Sequence, residues 1–109
     1  MVTAAREVSE DRTVSFGPFS LTSSSLYKDG DLVAISPKPM ALLNVLVRRG
    51  GDVVSREELL GLIWGANGSD ESLTRCVYLT RLALDDVGPE RPRYIEAVYG
   101  VGYRFLKPG

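Results

Sequence analysis

Two arginines, two hydroxyls and a tyrosine fall within one short segment, as Ser72, Thr74, Arg75, Tyr78 and Arg81. Guanidinium groups, hydroxyls and a phenol all donate hydrogen bonds, so such an array suits an anionic surface if one helix presents it. Ser72 and Thr74 would lie in that helix's first turn, where backbone N–H groups lack partners and anions bind. Each has a plainer role as well. Ser72 or Thr74 is a cap or an exposed hydroxyl, Arg75 an i,i+4 partner of Glu71, Arg81 a partner of Asp85, and Tyr78 a cover for the helix surface. Arg75 is the best placed of them to contact such a surface.

Other chemistry is poorly provided for. The chain of 109 residues has no histidine, which removes the commonest general base and the commonest metal ligand. Zinc fingers, zinc enzymes and histidine-dependent triads are excluded on that ground. Cys76 is the sole cysteine, so no internal disulfide forms, and a reducing cytoplasm suits the chain. That thiol reads as a small core residue, since a reactive thiolate needs an electropositive setting. The glycines of Gly100-Val-Gly102 do not lie between a strand and a helix, so they are a turn and not a phosphate loop. No enzyme, cofactor, metal or small-molecule substrate is expected.

The elements that must hold the segment follow from periodicity. Residues 1–12 are small and polar and read as a loose tail, leaving 13–109 as one domain. Thr13 to Gly17, Phe19 to Leu21, Leu26 to Lys28 and Asp31 to Ile35 are short strands, with a hairpin turn at Asp29-Gly30. Pro18 fits only a turn or an edge. The period then changes. Ser36 and Pro37 open a helix whose apolar stripe is Met40, Leu42, Leu43, Leu46 and Val47, and Gly50-Gly51 ends it. Val53-Val54 is an extended link. Ser55 and Glu58 form a capping box for a second helix that runs to Trp64, itself a packing residue. A third helix runs from about Asp70 to Asp86. Its core stripe is Leu73, Val77, Thr80 and Leu84, and its opposite face carries Ser72, Arg75, Tyr78, Leu79 and Leu82, with Arg81 beside it. Tyr94 to Val98 and Tyr103 to Leu106 form a closing hairpin, with Tyr103 packed beneath it. The fold class is therefore α+β: an N-terminal four-stranded antiparallel sheet, three helices and a C-terminal β-hairpin wing, a winged helix-turn-helix.

Net charge is −1, an unusual value for a partner of polyanions. The charge is uneven, however. Residues 37–50 carry Lys38, Arg48 and Arg49 and no acid, while residues 52–71 carry Asp52, Glu57, Glu58, Asp70 and Glu71 against Arg56 alone. A basic face opposite an acidic one is compatible with that total. No run approaches the roughly 20 apolar residues of a membrane span, and the N-terminus lacks the apolar core of a signal peptide. The last residues look like a junction as much as an end, so a span or further domain beyond Gly109 stays open.

Several spaced motifs agree in order with one family. Residues 16–19, 32–37, Leu42-Leu43, 54–59, Ile63-Trp64-Gly65 and 100–104 resemble the OmpR/PhoB-type effector domain, over residues 14–107. Residues 71–76, Tyr78, Arg81, 93–96 and 102–105 resemble more narrowly the activators of invasion genes that encode type III secretion. The resemblance implies a cytoplasmic transcriptional activator, linked to virulence, that binds double-stranded DNA in a sequence-specific way. It places the third helix in the major groove and the wing on the adjoining minor groove. It implies an N-terminal module of a longer activator without a phosphorylated receiver domain, head-to-tail dimers on DNA, and contact between the acidic stretch and RNA polymerase. That stretch is equally a solvated face. Arg81 and Arg104 match the family's arginines, which implies phosphate contacts. Arg91 and Arg93 precede the wing, and Tyr99 stands at its tip. The chain departs from the pattern in three places: Thr80 replaces a leucine, Leu82 a frequent cation, and Tyr99 an arginine. Leu79 and Leu82 on the outward face would touch thymine methyls, or, with Tyr99, make a protein interface in a winged helix turned to protein binding.

Overall fold

The computed structural model describes residues 13–88 and 92–106. The expected tail at 1–12 and Arg91 lie outside the described residues. Strands β1 (Val14–Phe16), β2 (Phe19–Leu21), β3 (Leu26–Lys28) and β4 (Asp31–Leu32) form an antiparallel sheet in chain order. Phe16 pairs with Phe19 across a two-residue turn holding Gly17 and Pro18. Lys28 pairs with Asp31 across Asp29-Gly30, whose φ values of 52° and 87° are both positive, as a tight hairpin of this twist requires. β4 is shorter than the alternation suggests. After Val33 donates to the Leu26 carbonyl, the chain leaves the sheet for the first helix.

Helix α1 (Pro37–Arg48) buries Met40, Leu42, Leu43, Leu46 and Val47, the expected stripe. Ser36 starts it by extended backbone geometry and makes no side-chain cap bond. Helix α2 (Arg56–Trp64) shows half of the expected capping box. Ser55 Oγ accepts from the Glu58 N–H at 3.0 Å, but the Glu58 carboxylate is taken by Arg49 instead of reaching back. Only Leu59 of α2 is fully buried, while Leu60, Ile63 and Trp64 pack against the core from its edge. Helix α3 (Asp70–Ala83) is capped by Ser69, whose hydroxyl accepts from the Ser72 N–H.

The end of α3 corrects an expectation. The helix stops at Ala83, three residues before Asp86. Asp85 enters the left-handed region at φ 57°, Asp85 N–H donates to Leu82 O, and Asp86 N–H donates to Arg81 O at 2.8 Å. These two bonds are the Schellman pattern, with aspartate where glycine is usual. A second correction concerns Val54. The link is a strand, β5 (Val54–Ser55), and it pairs with β7 (Gly102–Phe105), which pairs with β6 (Ile95–Val98). The wing hairpin thus supplies two strands of a three-stranded sheet, with β7 in the middle and β5 and β6 at its edges. Gly102 makes this possible, because a Cβ there would stand 2.0 Å from the Val54 carbonyl oxygen.

The core joins both sheets to the helices. Leu73, Val77, Thr80 and Leu84 of α3 and its cap are all buried, and Thr80 satisfies its hydroxyl on the Cys76 carbonyl at 2.8 Å. The rings of Phe16, Phe19, Tyr94 and Phe105 meet at centroid separations of 5.0 to 5.7 Å, mostly edge to face. This cluster fastens the first sheet to the base of the wing. No helix among the described residues is long and apolar enough to cross a membrane.

Candidate nucleic-acid interface

Turning one face of α3 inward leaves a defined outward face. Glu71, Thr74, Arg75, Tyr78 and Leu82 are exposed along it, with Ser72 and Leu79 half-buried at its margins. Tyr78 is 54% exposed and Leu82 42%. The Glu71–Arg75 pair does not form, and Arg75 has no ion pair among the described residues. Ser72 belongs to the cap, since its hydroxyl lies 2.9 Å from that of Ser69. The hairpin turn presents Tyr99, which is fully exposed, on a bend that Gly100 closes at φ 75°.

Arg81 sits elsewhere than expected. Its Nη2 donates to the Ile95 carbonyl at 2.7 Å, and its Nε is buried without a partner among the described residues. Asp85, the alternative partner, pairs with Lys28 instead. Arg81 therefore clips α3 to β6. Arg104 faces Glu96 across the β6–β7 ladder, with Nε to Oε1 at 2.7 Å, which offsets its charge in part. Arg93 is exposed, while its backbone N–H is held by Asp86. Tyr103 is buried beneath the wing as expected, its hydroxyl accepting from Arg56 at 2.9 Å.

Two residues that organise this surface left no local signal. Asp86 is buried, and its carboxylate accepts the backbone N–H groups of Arg93, Tyr94 and Ile95 at 2.8, 3.0 and 3.2 Å. It threads the chain into β6. Arg56 reaches from α2 to both α3 and β7. Each contact spans seven or more residues of sequence, so neither could be read from periodicity. Cys76 is a core residue, its thiol pushed up to about 11 by burial, against smaller lowering effects of Thr80 and Lys38. Lys38 stands over the Trp64 ring at 5.6 Å and donates to the Ile63 carbonyl, so Trp64 packs as expected. Among the described residues no cluster of acids and Cys76 could hold a metal.

Residues 30–105 match the family model described as the C-terminal domain of transcriptional regulatory proteins. The chain belongs to this family. It is a family of transcription regulators and not of enzymes. The effector domain is 44% identical over 85 residues to the transcriptional regulator HilA of Salmonella typhimurium, covering 77% of this chain and 15% of HilA. It therefore spans a small part of that relative. Its fold is similar to the RstA DNA-binding domain of Klebsiella pneumoniae, solved in complex with the RstA box. There the TM-score is 0.77 at 28% identity, over 87% of this chain and 97% of that one. It is also similar to the response regulator DrrB of Thermotoga maritima, an OmpR/PhoB homologue, at TM-score 0.80 and 29% identity, over 96% of this chain and 49% of that one.

Proposed function

We propose that the effector domain binds double-stranded DNA in a sequence-specific way as part of a bacterial transcriptional regulator. α3 enters the major groove and the β6–β7 wing lies on the adjacent minor groove. The observation that carries this is the outward face of α3, where Arg75 stands without an ion pair among the described residues, flanked by Thr74 and Tyr78. The likeness to an RstA domain solved on its DNA box supports the same docking. A B-form major groove admits one helix of this size, and an arginine can reach guanine edges there. Arg93 and Arg104 serve phosphates along the wing, and Tyr99 probes the groove beside it. Arg81, whose Nη2 is held by the Ile95 carbonyl, positions the helix and keeps its charge to turn towards a phosphate. Such a domain works in the cytoplasm, where the chromosome is. The exposed acids Glu57 and Glu58 on α2 face RNA polymerase or a neighbouring copy bound head to tail.

Selection of bound duplexes from a random pool, at physiological salt, tests the proposal. A defined motif is expected. With about four to six phosphate contacts, log affinity falls against log salt with a slope of roughly −4 to −5. The exposure of Leu82 and Tyr99 favours a second use, a protein interface. A flat salt response with no selected motif would move the assignment there. Arg75→Ala is expected to relax specificity at one base pair, by about 1–3 kcal/mol.

A further inference from the structure

Arg56 lies at the first turn of α2, immediately after β5, and reaches across to the first turns of α3. Its guanidinium nonetheless ties together three parts of the interface. Nε donates to the Asp70 carboxylate at 3.3 Å, and Nη2 to the Asp70 carbonyl at 3.2 Å and the Thr74 hydroxyl at 3.3 Å. Nη1 donates to the Tyr103 hydroxyl at 2.9 Å, and the guanidinium carbon stands 5.8 Å from that ring's centroid. The backbone N–H of Arg56 also donates to the Val101 carbonyl in the wing turn, at 3.1 Å. One residue thus binds the first turns of α3, the strand β7 and the turn that carries Tyr99.

We propose that Arg56 is a positioning residue that sets α3 against the wing, and that discrimination between target and non-target DNA depends on it. The inference rests on the DNA-binding assignment above and deepens it. A reading helix works only when its side chains meet base edges while the wing meets its own groove, so the relation of the two must be held. The planar fork of an arginine can hold several acceptors in one geometry, which a lysine ammonium cannot. The bond to Thr74 has a further effect. Because Thr74 Oγ1 accepts from Arg56, its own O–H is left to donate outward, towards a phosphate.

The test uses the wild-type chain, Arg56→Ala, Arg56→Lys and Tyr103→Phe. Two quantities are measured: amide hydrogen exchange of Val101 to Tyr103 in the free protein, and the ratio of affinities for a selected duplex and its scrambled counterpart. Exchange in the wing turn is expected to quicken in all three variants. The affinity ratio is expected to fall about tenfold in Arg56→Ala, comparable to the loss of one base contact. Arg56→Lys keeps the charge and should leave the ratio low. An equal loss on both duplexes, restored by lysine, would show a plain phosphate contact and overturn the proposal. So would an unchanged ratio in folded Arg56→Ala. If that variant fails to fold, an unchanged ratio and unchanged exchange in Tyr103→Phe overturn it instead. A wild-type chain that selects no duplex defeats the DNA-binding assignment and the claim on discrimination with it, while the exchange data still decide the clamp.

Discussion

Asp86 offers the most direct check on how the wing is attached. Its carboxylate replaces three water molecules' worth of hydrogen bonding for the N–H groups of Arg93, Tyr94 and Ile95. Tyr94 and Ile95 are buried, so their donors have no solvent to turn to, whereas exposed Arg93 can recruit water. In Asp86→Ala two buried donors are orphaned and a charge-assisted pair of bonds is lost, each at about 1.5–3 kcal/mol. The expected destabilisation is therefore about 3–6 kcal/mol, a large share of the roughly 5–15 kcal/mol that holds a domain together. Asp86→Asn is milder. Its carbonyl oxygen can serve Tyr94 and Ile95, but its amide then faces the Arg93 donor, for a cost of about 1–2 kcal/mol. Urea unfolding followed by circular dichroism measures both. At a slope of about 1.5 kcal/mol per molar, alanine lowers the midpoint by about 2–4 M and asparagine by about 1 M. An alanine variant within about 1 kcal/mol of wild type, or one no worse than asparagine, would refute the reasoning.

Three further outcomes follow from the same contacts. Gly102→Ala drives a Cβ into the Val54 carbonyl oxygen, with Ser55 Cα at 2.8 Å behind it. Both obstacles are backbone, so β5 must part from β7, and thermal unfolding should report a loss of about 2–3 kcal/mol. Cys76, with its thiol pushed up to about 11 by burial, should resist an aromatic disulfide reagent at pH 8 in the folded chain and react at once in urea. Rapid native labelling would show that α3 does not pack as described. Replacing thymine by uracil in the selected duplex should weaken wild type by about 0.5–1 kcal/mol per contacted methyl and leave Leu82→Ala little affected. Equal weakening of both proteins would remove Leu82 from the interface.

Much of the architecture was legible along the chain. Alternation marked the first sheet, Asp29-Gly30 its hairpin, and the 3.6-residue stripe named Leu73, Val77 and Thr80 of the buried face of α3 and Leu84 at its cap, while buried Cys76 was read as core from its residue type. The departure at Thr80 also resolved locally, since a hydroxyl inside a helix can bond the carbonyl four residues back. The failures share another character. β5 read as a link because two residues carry no period, and only pairing with β7 makes them a strand. α3 looked longer because Leu84 continues its stripe, yet Asp85 turns left-handed and opens the way for Asp86 to reach β6.

The outward face of α3 shows the same division. Which residues point out follows largely from the helix period, so Ser72, Arg75, Tyr78, Leu79 and Leu82 could be named from the order of amino acids, while Thr74, exposed beside Arg75, was read only as a first-turn hydroxyl. Which of the cations remain to meet an anion does not. Arg81 gives one N–H to the Ile95 carbonyl, Arg104 shares its charge with Glu96, and Arg56 holds Tyr103 from 47 residues away. A side chain's direction is set by the rotation of its own backbone, a local quantity that composition and spacing record. Its partner is set by how separate elements pack, which brings together groups that no sequence interval relates, and so only the tertiary structure could assign it.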